Sequence, residues 1–348
     1  MKQSFQEAWR DYRPLLCFGL LYVVLCLAQI FWVGISAGGV LGWIWTAVRH
    51  TVGLSCTFLA LVALGGLCRA IWAADFRMRE AGRAFAADAR AYLAGPMFAG
   101  ACIGFLACFT SLFFIMQKAT IRFVNPYAWD ETFAAWDKAL HFGRYPQEWM
   151  IDAFGRGGAD MFLQICYVGW FFFMYVGLGW ALFCERDRLR RLRFVACYVL
   201  SWCLLGGFAA TWLSSAGPVF YHDVLPQAPD VYKGLKDYLG TQKELLPNIF
   251  WLIEHLLEWY RHEAPLVPNA PSAMPSLHAA TSTLIVIYAW GAGRGAFVTA
   301  LFLGVCIVVS SIYFGFHYAI DSYASMAIVG LMWWGVGRWI AWREKRAA

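Results

Sequence analysis

Phe297-Val298-Thr299-Ala300-Leu301-Phe302-Leu303-Gly304-Val305-Cys306-Ile307-Val308-Val309 runs without a charge into Ser310-Ser311-Ile312-Tyr313-Phe314-Gly315, and His317 follows at once. About 20 apolar residues cross the hydrocarbon core of a bilayer. The stretch 297–315 meets that length, so the histidine at its mouth sits at a membrane surface. Comparable runs fall near 14–36, 51–73, 95–117, 159–184, 194–217, 276–290 and 318–342. The chain therefore reads as an all-α polytopic membrane protein with about eight transmembrane helices.

Composition agrees. The 348 residues are 61% hydrophobic and 14% charged, where a soluble domain carries roughly 25% charge. The runs are continuous rather than alternating, which excludes a β-barrel. All eleven cysteines lie inside apolar runs and read as small buried hydrophobes, not as a disulfide or zinc framework. The run 14–36 follows Lys2, Arg10 and Arg13 but exceeds a signal-peptide core of about 7–15 residues, so it is read as the first span. The sixth span is short, and its helix is expected to start before Pro275 or to run into the glycine-rich turn. Val40–Val48 is too short to cross and is expected at the interface.

Basic residues orient the spans. Segments 1–13, 74–94, 185–193, 291–296 and 343–348 hold 16 Lys and Arg in 55 positions. Segments 37–50, 118–158 and 218–275 hold 10 in 113. The denser set is read as cytoplasmic, with both termini inside. All seven histidines then fall on the opposite face, periplasmic or more generally extracytoplasmic or lumenal. On that face, tryptophans in 118–158 and helically spaced charges in 247–263 predict interfacial amphipathic helices. Orientation and anionic lipid account for the basic stretches, so no nucleic-acid partner is implied.

Two motifs carry chemistry. Pro275-Ser276-Leu277-His278 opens the sixth span, and His317 with Asp321 opens the eighth. An even number of crossings brings them to one face. On a helix, positions i and i+4 lie one above the other. Asp321 is then placed to accept the Nδ1–H of His317, leaving Nε2 to attack. An ionisable group at that depth is costly and marks function. Ser276 is a plausible helix cap, and amides at a helix start attract phosphate. His278 beside them is suited to moving a proton.

Pro275-Ser276-Leu277-His278 with Ser310, His317 and Asp321 resembles the type 2 phosphatidic acid phosphatase superfamily. Leucine at 277, Ser214-Ser215-Ala216-Gly217-Pro218-Val219-Phe220-Tyr221 and the stretch from Trp136-Asp137 to Tyr145-Pro146 resemble the inositol phosphorylceramide synthase branch. The resemblance covers about 95–342 and implies a six-helix catalytic core, 95–348, after a two-helix extension, 1–94. It implies His317 as nucleophile, Asp321 as its orienting partner and His278 as general acid and base, with no metal or other cofactor. Ser276 and Tyr221 become candidate substrate-binding residues. The phosphatases' Lys-x6-Arg-Pro motif is absent from 218–275, and Ser311 stands where they carry a phosphate-binding arginine. Replacement cations are sought among Arg122, Arg144, Lys233, Lys236, Lys243 and Arg261.

These features imply a metal-independent lipid phosphotransferase. A phospholipid or prenyl-phosphate donor gives its phospho-group to an alcohol or lipid acceptor through a phosphohistidine. Hydrolysis of a lipid phosphate or prenyl pyrophosphate by the same residues is the alternative. A transporter is disfavoured by the near absence of mid-span charge. A metal site at Glu254, His255, Glu258 and His262 competes with a plain solvated helix face.

Overall fold

The computed structural model describes residues 2–155, 158–261 and 271–347, and every regular element among them is a helix. Six stretches are long and apolar enough to cross a bilayer: Phe5–Trp32, Ala37–Ala73, Pro96–Lys118, Gly158–Phe183, Arg188–Trp212 and Arg294–Tyr313. The sixth and eighth expected spans correspond to the short apolar helix Leu277–Trp290 and the final helix, Ala319–Ala347, neither of which is among those six. The chain is an all-α integral membrane protein.

Three boundaries differ from expectation. The first helix begins at Lys2 and passes through Pro14, because Ala8 and Tyr12 are buried and extend its packed face outward. The second is one helix, Ala37–Ala73, so Val40–Val48 is its first half and not a separate interfacial piece. Ser36 caps it by accepting from Gly39 N at 3.3 Å, and no proline interrupts it. Leu277–Trp290 neither starts before Pro275 nor enters the following turn. Ser276 caps one end and Gly291 closes the other, so this helix stays short and its first turn lies beneath the loop layer.

One end of the bundle gathers the basic segments. Arg188 bridges Asp11 and Glu344, each at 2.5 Å. Arg343 Nη2–H donates to Arg10 O at 2.8 Å, and Arg190 pairs with Glu185 at 3.0 Å. Tyr92 Oη–H donates to Phe183 O at 3.0 Å, drawing the amphipathic helix Met78–Ala94 to the same end. The opposite end is roofed by Asp130–Leu140, Pro146–Phe154, Lys233–Thr241 and Pro247–Arg261. These carry out the helical expectation for 118–158 and 247–261. Cysteines depart from the uniformly buried reading: Cys26, Cys108, Cys197 and Cys203 are buried, while Cys17, Cys56, Cys68 and Cys102 lie on outer helix faces. An apolar side chain there meets lipid, so exposure costs little.

A buried polar chain joins the first helix to the rest. Tyr22 Oη–H donates to Gln117 Oε1 at 2.8 Å, and Gln117 Nε2–H to Gln29 Oε1 at 3.1 Å. Gln29 Nε2–H then donates to Thr120 Oγ1 at 2.6 Å. In hydrocarbon such groups must satisfy one another. The chain threads past Gly207, which lies in a π-helical segment, Ser201–Ala209, of the fifth span. A Cβ at Gly207 would overlap Tyr22 Oη and Gln117 Oε1. Gly207→Ala is therefore expected to cost about 1–3 kcal/mol, as overpacking does, read as a lower melting temperature in detergent. An unchanged melting temperature would contradict this account of the packing.

Candidate active site

His278 occupies the first turn of the short helix, where Ser276 Oγ accepts from Ala279 N at 3.2 Å. Its ring lies between two aromatic rings of the Gly158–Phe183 helix, with centroids 4.7 Å from Tyr167 and 4.0 Å from Trp170. Trp170 is itself held, its indole N–H donating to Thr281 Oγ1 at 2.8 Å. The imidazole thus has one orientation.

His317 comes from the loop between the last two helices. Its Nδ1–H donates to Ala273 O at 2.7 Å, and its Nε2 lies 3.1 Å from His278 Nδ1. The network assigns the tautomers: with Nδ1–H given to the carbonyl, His317 Nε2 carries a lone pair and accepts from His278. Burial pushes the His317 pKa down to about 4; the Ala273 carbonyl opposes this and the Lys118 charge adds to it. Neutral pH therefore leaves this nitrogen unprotonated.

Asp321 differs from the helix-face reading. The last helix begins at Ala319, so His317 precedes it and i,i+4 alignment does not operate. Asp321 Oδ2 accepts from Tyr318 N at 2.8 Å and stands 3.6 Å from His317 Nδ1. The direct acceptor of that N–H is the Ala273 carbonyl, and the Asp321 carboxyl group lies just beyond hydrogen-bond distance of it.

Both histidines border a cavity of about 400 Å³. Its cation is Lys118, absent from the sequence-derived set. Lys118 makes no hydrogen bond or ion pair among the described residues. The expected cations are engaged elsewhere. Arg144 pairs with Glu148 and Asp152, Lys233 with Asp237, and Lys243 with Glu254. Lys236 and Arg261 share Asp223. The Arg122 side chain and His262 lie outside the described residues. Ser276 is fully buried with its hydroxyl on Ala279 N, and Tyr221 packs on Tyr232; neither borders the cavity. One signal for Lys118 was available: it is the first charge after the apolar run 95–117.

Two further carboxylates hold the loops that carry the histidines. Asp130 and Asp137 are seven residues apart on the buried face of the Asp130–Leu140 helix. Asp130 accepts from Ala216 N at 2.8 Å, Gly217 N at 3.1 Å and Tyr318 Oη at 2.7 Å. Burial raises its pKa to about 6, against the pull of these donors. Asp137 accepts from Ala319 N at 2.8 Å and Ile320 N at 2.9 Å, capping the last helix from another element. Ser215 completes the clasp: its carbonyl accepts from Ala273 N at 2.7 Å and its hydroxyl from Met274 N at 3.0 Å. Gly217 is required at its position, with φ +102° and Phe316 O 2.7 Å from where a Cβ would stand. An acid at each end of an apolar i, i+3, i+4, i+7 stripe with Phe133 and Ala134 was the sequence signal for this pair.

Residues 131–335, more than half of the chain, match the PAP2 superfamily. The chain belongs to that superfamily and is a lipid enzyme of phosphatase or phosphotransferase type. No curated protein and no solved structure matches it. The matched segment contains Asp137, His278, His317 and Asp321, but neither Lys118 nor the first two helices.

Asp137 positions the loop through backbone groups alone. Asp137→Ala is expected to cost about 0.5–2 kcal/mol, as loss of a helix cap does, and to slow turnover by displacing His317. Asp137→Asn, whose amide oxygen still accepts, is expected to restore part of both. Unaltered melting and turnover in the alanine variant would refute the positioning role.

Proposed function

We propose that the chain is a lipid phosphotransferase working through a phosphohistidine at His317. The observation that carries this is the pairing of His278 Nδ1 and His317 Nε2 at 3.1 Å, beside Lys118, at the polar end of an apolar cavity. Two imidazoles that close can serve one phospho-group, one at phosphorus and the other at the leaving oxygen. In the first half-reaction a phospho-group enters between the rings, and its negative charge favours the doubly protonated form of His278. His317 Nε2 attacks phosphorus and the bond to the donor's leaving oxygen breaks. The proton of His278 passes to that oxygen, leaving His278 neutral.

The charge that develops on His317 is met by the Ala273 carbonyl and the Asp321 carboxylate. In the second half-reaction an acceptor hydroxyl gives its proton to His278, and its oxygen takes the phospho-group. The N–P bond breaks and His317 returns to its starting form. Lys118 neutralises one charge on the transferring group. One cavity cation among the described residues suits a singly charged phosphodiester better than a dianionic monoester. The active face is extracytoplasmic on this reading, with the basic end of the bundle and both termini in the cytoplasm. The segment 95–348 is the catalytic core and 1–94 an extension of it.

Hydrolysis is the second reading. Lys118 favours it, since it supplies one of the two cations whose motifs the sequence lacks. Water then replaces the acceptor alcohol at the same histidine pair.

The deciding experiment uses purified protein in lipid with phosphorus-32-labelled phosphatidylinositol, phosphatidylglycerol or undecaprenyl pyrophosphate. Each is tested with and without a ceramide or sugar-alcohol acceptor. An acid-labile label on the protein is expected, lost in His317→Ala together with at least about 10³-fold in rate. Label retained in that variant removes the phosphohistidine. Labelled free phosphate from undecaprenyl pyrophosphate, or a labelled phospho-head group from the phospholipids, without acceptor product makes the enzyme a hydrolase. Lys118→Met is expected to lower kcat/KM about 10- to 100-fold, the range for losing one charged hydrogen bond; a change under twofold would leave Lys118 with no part in binding.

A further inference from the structure

We infer that the second helix, which lies outside the family-matched segment, walls a slot for the hydrocarbon chain of the phosphate-bearing lipid. The inference rests on the proposed phospho-transfer at the histidine pair. The cavity that starts at Lys118, His278 and His317 continues to Ser55, Phe58 and Leu61 of the second helix. Lys118, Ser272, His278 and His317 give it charged and polar lining, the hydroxyls of Thr51, Ser55 and Thr57 line it from the second helix, and the rest is mostly aromatic and aliphatic side chains of the third and fourth spans. At about 400 Å³ it falls within the range of small-molecule sites, ~300–1,000 Å³.

One occupant satisfies both ends. A phosphate at Lys118 answers the cation and places phosphorus at His317. The attached chain then lies against the apolar flank, where burial rewards each methylene by about 0.8 kcal/mol. The reach is adequate, since Thr51 to Leu61 spans about 15 Å of helix axis at the usual rise. Phe58 bounds the slot: its ring packs on Gly179, 2.7 Å from where a Cβ would stand, with Phe183 at 6.0 Å. The first helix contributes at the other end. Its Tyr22 and Gln29 hold Gln117, the neighbour of Lys118, in the polar chain that runs to Thr120. Both N-terminal helices thus belong to the substrate site, one through the chain slot and one through the turn that presents the cation.

The test uses the full-length protein in lipid nanodiscs with a long-chain phosphatidylglycerol bearing a diazirine near one chain end. After irradiation, peptide mapping is expected to find insertion at Thr51, Ser55 or Phe58, reduced by excess unlabelled phosphatidylglycerol. Insertion confined to the outward-facing Val52 and Leu64, or undiminished by competitor, overturns the slot. Ser55→Trp is the second measure. It is expected to lower kcat/KM for long-chain relative to short-chain donor by at least about tenfold. An unchanged ratio overturns the inference. The two readings separate cleanly. Phospho-transfer without labelling of the second helix removes the slot and leaves the chemistry; competed labelling with no transfer or hydrolysis does the reverse.

Discussion

Two buried carboxylates on one short helix govern where His278 and His317 stand. Asp130 and Asp137 do not touch either imidazole. They accept backbone N–H groups of the 214–217 and 318–320 segments, and Asp130 also takes the Tyr318 hydroxyl. A carboxylate out of water is costly unless it is fully hydrogen-bonded. That cost makes the arrangement selective, because displacing either loop leaves a buried charge without its donors. The 271–276 segment joins the same clasp through Ser215, and its Ala273 carbonyl then receives the His317 N–H. Loops from three parts of the chain are thereby held in one mutual position above the membrane-spanning helices.

The chemistry follows from that clasp. Fixing Ala273 selects the His317 tautomer and aims its lone pair at His278. The aromatic rings of Tyr167 and Trp170 fix His278 from the other side. Burial keeps His317 unprotonated at neutral pH, as the proposed nucleophilic role requires. The paired rings face an apolar cavity rather than the roof, which suits a substrate that arrives from the bilayer with its phosphate leading.

The division of cations has a simple physical basis. Arg144, Lys233, Lys236, Lys243 and Arg261 stand on the water-facing roof beside carboxylates and pair with them. Lys118 stands at the end of a span and pairs with no carboxylate among the described residues. Its position depends on the first helix, through Gln117 and its partners Tyr22 and Gln29. The two N-terminal helices are therefore more than an anchor: the first shares the core and braces the cation, and the second borders the cavity.

What the sequence by itself determined were features set by local composition and crossing number. Long uncharged runs require helices in a membrane, basic segments gather at one end of the bundle, and an even number of crossings returns His278 and His317 to one face. Ser276 was legible as a cap for the same reason, since capping depends only on neighbouring residues, although the helix it caps is shorter than the sequence suggested. What the tertiary structure decided were distances between loops that no spacing rule connects. The sequence offered Asp321 as the direct partner of His317, but helix geometry begins two residues too late for that, and a carbonyl 44 residues away takes the bond. It offered six roof cations, and folding gave the described ones to nearby acids while turning Lys118 inward. Asp130 and Asp137 read as charges on an amphipathic helix, because a carboxylate's partner in this fold is backbone N–H, a group every residue but proline carries and no side-chain pattern records.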